Sequence, residues 1–161
     1  HHDLRNVEDG GRTNGTPFRS LVEGRVIRGE DLVQIGIRDF SNAKAYADYA
    51  RKHNIHTYTM ADVEEKGIHI LTDQVIQILE NKCDCIYLSV DMDAVDQAYA
   101  PGCPAIGPGG MTARELLSSV SLAAAHPLVK GMDIVEVDPT KDFRDMTSRL
   151  AAHVMLRYMY V

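Results

Sequence analysis

Apolar and polar runs alternate along this chain in a way that predicts strands and helices in turn. Residues 32–37 form a short apolar run that ends at Arg38-Asp39 and reads as a buried strand. Ser41 is expected to cap the helix that follows, whose buried stripe would be Ala43, Tyr46, Ala47, Tyr49 and Ala50. Residues 55–60 read as a further strand, of mixed polarity and so nearer an edge, and residues 61–66 as a helical turn stopped by Gly67. Thr72 is then expected to cap a helix with Val75, Ile76, Ile78 and Leu79 on its buried face. Before all of these lie a polar, glycine-rich loop at residues 6–16 and a short helix around Leu21 and Val22.

The second half repeats the alternation. Residues 85–90 are nearly continuously apolar, as in a parallel strand covered by helices on both faces, and they stop abruptly at Asp91, Asp93 and Asp96. Residues 97–110 hold Pro101, Gly102, Pro104, Gly107, Pro108, Gly109 and Gly110, a density that makes a stiff, shaped loop. Thr112-Ala113-Arg114-Glu115 is a capping box that opens a helix, and Pro127 closes it. Residues 129–137 form the last strand, ending at Glu136-Val137-Asp138-Pro139. A final helix begins near Asp145 with Leu150, Val154, Met155 and Tyr158 on its core side. Strand and helix in regular alternation predict an α/β fold, a three-layer α/β/α arrangement around a mostly parallel sheet. No repeat or linker divides the chain, so residues 1–161 are expected to form one domain or part of one.

Composition narrows the classes. With 161 residues and 45% hydrophobic content the chain can bury a substantial core. A formal net charge of −6 argues against a nucleic-acid surface, which calls for clustered Lys and Arg. No apolar run approaches membrane length and no secretory leader opens the chain. Cys83, Cys85 and Cys103 lack His or Cys partners at zinc spacing, so reduced thiols and a cytoplasmic location are expected. The chain opens on His1-His2-Asp3 without a Met, as a tag remnant or a start inside a longer protein would.

Three strand ends offer acids: Asp39, the Asp91/Asp93/Asp96 group, and Glu136 with Asp138. In a regular strand Asp91 and Asp93 point to opposite faces, so they can share a target only where the strand gives way to loop. Desolvating neighbouring carboxylates is costly, and a divalent cation removes that cost. Imidazole and carboxylate donors together suit an ion such as manganese, and several carboxylates favour a pair of ions. Asp96 and Asp138 read more simply as loop- and turn-shaping groups, and Cys103 as a packed thiol. His53, His56, His69, His126 and His153 are taken as non-ligands.

Ser89-Val90-Asp91-Met92-Asp93-Ala94-Val95-Asp96 with Ala100-Pro101-Gly102 resembles the metal signature of the arginase/agmatinase ureohydrolase family. His1-His2-Asp3 resembles the tail of that family's Asp-Ala-His-x-Asp motif, and Asp133 to Pro139 its substrate-facing strand. The resemblance covers essentially the whole chain and implies an arginase-like fold, incomplete at its N-terminal side. Finer runs, Asn14-Gly15-Thr16-Pro17-Phe18-Arg19, residues 102–110 and residues 142–149, are similar to the branch acting on N-formimidoyl-L-glutamate in histidine degradation. The resemblance implies a small-molecule substrate and two Mn(2+) ions, with His1, Asp3, Asp91 and Asp93 as ligands and Asp91 bridging. It implies that Glu136 receives the formimino group, and that Asp3 or Asp93 ferries a proton. Asn6, Arg12 and Asn14 are the candidates for the amino-acid end of the substrate, with Arg19 and Arg149 further cations that could meet its carboxylates. The motif's leading aspartate and an upstream histidine ligand would precede His1. Asn14 stands where arginases carry a histidine, which favours the formimino substrate. A urea-releasing ureohydrolase and a non-catalytic metal-binding module are the alternatives. A homo-oligomer remains open.

Overall fold

The computed structural model describes residues 1–160, which fall into two compact units, His1–Ala61 and Asp62–Val161. In the first, a 3-10 turn at Val7–Asp9 precedes α1 (Pro17–Glu23), β1 (Val33–Ile37), α2 (Lys44–Lys52) and β2 (His56–Thr59). β1 and β2 pair in parallel, so α2 is the crossover of a βαβ unit, as the alternation predicts. Leu4, fully buried, joins Leu32, Tyr49, Ala50 and Ile55 in the core, with Phe18, Val22 and Tyr46 packed against them. The helix stripe is narrower than expected, because Ala43 stands outside the helix and is exposed. Ser41 does not cap it either. The helix starts three residues later, after a turn in which Phe40 has φ 60, and its N-cap position is Ala43 without a side-chain bond.

The helix α3 (Met60–Lys66) is followed by α4 (Ile68–Glu80), β3 (Ile86–Asp91), α5 (Ala113–Ala124), β4 (Val129–Val135) and α6 (Met146–Met159). Thr72 lies within α4 rather than at its start. Gly67, at φ 82, breaks the chain one turn earlier, so Ile68 and Leu71 can be buried by the helix. The Thr72 hydroxyl instead donates to the Ile68 carbonyl at 2.8 Å and lies 2.8 Å from the Ser119 hydroxyl on α5. Thr112 does cap α5 through the predicted capping box: Glu115 N donates to Thr112 Oγ1 at 3.2 Å, and Thr112 N to Glu115 Oε2 at 2.7 Å.

β3 and β4 are parallel, with α5 as their crossover. Leu88, Val90, Met132 and Ile134 face a core completed by Leu116, Val120, Leu150 and Val154. The opposite face departs from the expectation of cover on both sides. Tyr87 is 63% exposed and Val135 38% exposed on that face. Met155 is also exposed, the one misplaced member of the α6 core set, whereas Leu150 and Val154 are buried and Tyr158 packs at the core margin. Among the described residues no helix is long and apolar enough to cross a membrane.

Replacing Thr112 by Ala should cost about 1 kcal/mol in urea denaturation, the usual worth of an N-cap, whereas Thr112→Ser should stay within a few tenths.

Candidate functional site

In the first unit the chain start is tied down by a buried histidine. The Gln34 amide donates to the His2 carbonyl at 2.6 Å, which leaves Gln34 Oε1 to accept from His2 Nδ1 at 2.7 Å. His2 N also donates to Asn42 Oδ1 at 2.9 Å. Burial holds the His2 imidazole below its ordinary value, against the Gln34 hydrogen bond, and so keeps it neutral. His2 is therefore a strut against β1. His1 and Asp3 on either side of it are half-buried, and Asp3 sits in the left-handed region at φ 52.

The loop that holds the substrate candidates is closed by Arg5 N donating to the Gly15 carbonyl at 2.9 Å. Thr16, buried, accepts from Thr13 N at 3.1 Å and donates to the Thr13 carbonyl at 2.8 Å. Asn6 caps the 3-10 turn, accepting from Glu8 N at 3.2 Å, while Arg12 and Asn14 are exposed. Arg19 pairs with Glu23 at 2.7 Å and lies 4.5 Å over the Tyr49 ring, which accounts for it structurally.

In the second unit the strand gives way to a turn at the carboxylates. β3 stops at Asp91, and Met92–Ala94 turns into a 3-10 helix. Asp91 Oδ1 accepts from Asp93 N at 2.9 Å, while Met92, fully buried, anchors the turn in the core. Asp93 is only 3% exposed. At the end of β4, Glu136 takes a left-handed backbone at φ 60. A non-glycine residue held there costs roughly 1–3 kcal/mol, which surrounding structure must supply. Two of the four acids given roles by the resemblance, Asp3 and Glu136, stand in that region.

The electrostatic focus is Cys103. Burial, followed by the charges of Asp93, Asp91, Glu136 and Asp142, pushes its thiol up to about 12. The charges of Asp93, Asp91, Glu136 and Asp142 thus reach one buried thiol, with burial itself the larger effect. Sequence reasoning made Cys103 a packed thiol, and with 2% exposure it is one. Among the described residues, however, no set of three or more His, Cys, Asp or Glu side chains is disposed to enclose a metal ion. Hard carboxylate oxygens beside Cys103 match manganese in kind, and Asp91 with Asp93 supplies two donors rather than a full shell.

The loop after β3 is held from within. Asp96 accepts from Ala98 N at 2.9 Å, Gly109 N at 2.7 Å and Gly110 N at 3.3 Å, the loop-shaping role expected of it. Asp138 accepts from Thr140 N at 3.0 Å, fixing its turn. Gly102 is the hub: its N–H donates to Thr147 Oγ1 at 2.7 Å, and its carbonyl accepts from Asp138 N at 2.7 Å. A Cβ on Gly102 would lie 2.6 Å from the Asp142 Cβ, so only glycine fits. Asp142 in turn accepts from Thr147 N at 3.0 Å and Ser148 N at 2.8 Å, satisfying the first turn of α6. The sequence reading missed this role. A carboxylate five residues ahead of Thr147 was the available sign.

An arginase-family profile matches residues 1–160. The chain is 60% identical to a formimidoylglutamase of Halalkalibacterium halodurans over 99% of its length and 50% of the relative's. It superposes on the crystal structure of formimidoylglutamase from Bacillus subtilis with a TM-score of 0.97 at 55% identity, covering 99% of this chain and 50% of that one. A Trypanosoma cruzi formiminoglutamase structure described "with Mn2+2" follows at TM-score 0.88 and 25% identity, covering 97% of this chain and 52% of that one. The chain thus spans about half the length of the curated relatives it matches, and its fold is arginase-like.

Burial raises the Asp142 carboxyl, but the Ser148 and Thr147 hydrogen bonds outweigh it and leave the group below its ordinary 3.8. A carboxyl depressed in the folded state stabilises above the unfolded value and loses that contribution as pH falls through the folded one. Asp142→Asn should therefore destabilise most at pH 6–7, with the gap from the parent closing below about pH 4, in denaturation curves at stepped pH.

Proposed function

The chain belongs to the arginase family, and we propose that the whole protein hydrolyses N-formimidoyl-L-glutamate to L-glutamate and formamide in histidine degradation. The observation that carries this reading is the 60% identity to a curated formimidoylglutamase over 99% of this chain, with Asp91 and Glu136 standing at the ends of paired parallel strands. His1, Asp3, Asp91 and Asp93 are the imidazole and carboxylate donors that would hold two manganese ions. When bound, such ions supply Lewis acidity and lower the pKa of water for attack on the amidine carbon.

The residues of this chain supply the rest. Glu136 receives the cationic formimino group, since planar N–H donors pair with a carboxylate in a short, charge-assisted geometry. Orientation is its contribution: an amidine held by Glu136 presents its carbon in one direction only. The left-handed backbone at Glu136 suits that task, because it turns the side chain away from the direction β4 would otherwise impose. Asp3 or Asp93 holds the proton that the departing nitrogen needs. Asn6, Arg12 and Asn14 lie on the ordered loop closed by Arg5 and Gly15, and are the groups for the amino-acid end of the substrate. We assign residues 1–161 to a single ureohydrolase-like domain of a cytoplasmic enzyme.

The reading is tested by product identity and by one substitution. The protein at its full natural length, saturated with manganese, should release formamide from N-formimidoyl-L-glutamate. Urea released from a guanidino substrate instead would assign it to another branch. Asp91→Ala should lower turnover by more than the roughly 10–100-fold that loss of a supporting outer partner costs. Undiminished turnover would end the account.

A further inference from the structure

Beyond the groups given roles above, the face of β3 and β4 turned away from the core carries a polar contact. Tyr87, Ser89 and Asp91 alternate onto that face, opposite Gly131, Asp133 and Val135 of β4. Ser89 Oγ donates to Asp133 Oδ1 at 2.7 Å, a short, charge-assisted bond in a half-buried setting. One step back, the Tyr87 ring lies over Gly131, where a Cβ would come within 2.9 Å of its Cε2. Desolvation, followed by the charge of Asp133, raises the Tyr87 hydroxyl above its ordinary value.

These contacts follow directly on an irregularity. The pairing shifts between Ile86 and Tyr87, whose partners are Val129 and Gly131, so the register beyond that point has to be set anew. Packing of Leu88, Val90, Met132 and Ile134 on the core selects which face points inward. It does not exclude a slip of two residues, because side chains repeat with period two. The side chains opposite do exclude it. Slipped by two, Ser89 would face Gly131 or Val135, neither of which offers a side-chain acceptor. Such a slip would displace the end of β4 against the end of β3 by about 6.6 Å.

We infer that Ser89 and Asp133 are positioning residues whose hydrogen bond sets the register of β3 against β4, and with it the placement of Asp91 relative to Glu136. The inference rests on the reading above that Asp91 and Glu136 serve one reaction. Neither Ser89 nor Asp133 touches substrate in this scheme. Their effect reaches the chemistry through strand ends two and three residues further on.

The test compares Ser89→Val with Ser89→Thr in the protein at its full natural length. The two are nearly equal in shape and differ in the hydroxyl. Manganese affinity is read by electron paramagnetic resonance titration without substrate, alongside kcat, KM and melting temperature. Ser89→Val should weaken manganese binding about 10-fold and lower kcat by a similar factor, in the range known for outer partners of metal ligands, with KM little changed. Ser89→Thr should keep both within about threefold of the parent. Asp133→Asn retains an acceptor oxygen for Ser89 and should behave like Ser89→Thr, which keeps the comparison informative if the valine variant does not fold. Equal behaviour of the valine and threonine variants would overturn the inference. So would a melting-temperature loss with affinity and kcat intact, or an asparagine variant as impaired as the valine one. Formamide release by the parent separates this from the functional reading, since the metal titration has the same meaning whichever product is formed.

Discussion

Like charges gathered in a low-dielectric setting repel one another and resist losing their water. In unit Asp62–Val161 such groups stand at or just beyond strand ends: Asp91 closes β3, Asp93 follows in the 3-10 turn, and Glu136 follows the parallel strand β4. The buried thiol of Cys103 stays protonated far above neutrality chiefly because it is cut off from water, with the charges of Asp93, Asp91, Glu136 and Asp142 adding to that effect. What keeps the acids there is ordinary packing. Met92 plugs the core between Asp91 and Asp93, and a 3-10 turn around it takes the place of a regular continuation of the strand.

The loop that follows is braced in the same spirit. Asp96 fastens it to itself through three backbone N–H groups, and Gly102 fastens it to the start of α6. The approach of Gly102 to Asp142 is too close for any side chain, so loop and helix cap form one device. Rigidity of this kind is what a site needs if charges are to stay in place while a reaction changes the distribution of charge around them.

Much of this was legible in the chain, for reasons that differ from place to place. The capping box at Thr112 and Glu115 spans four residues, and nothing distant competes with it. Thr72 offered a similar local sign yet proved to be mid-helix, because burial of Ile68 and Leu71 carries α4 one turn further back. Ser41 lost its capping place to a backbone turn at Phe40 that composition does not reveal. The carboxylates of Asp91, Asp93 and Glu136 could be picked out by their position at strand ends. The Ser89–Asp133 bond could not, since 44 residues separate its partners and only the strand register joins them. Tyr87 read as core by composition and is exposed by arrangement, with its ring over a glycine that no periodicity marks.

The most direct measurement is anomalous scattering at the manganese edge from crystals of the protein at its full natural length. The account predicts two peaks about 3.5–4 Å apart, both within bonding distance of the Asp91 carboxylate, with Asp93 on one of them. Peaks bound by other residues, with Asp91 in contact with neither, would contradict it.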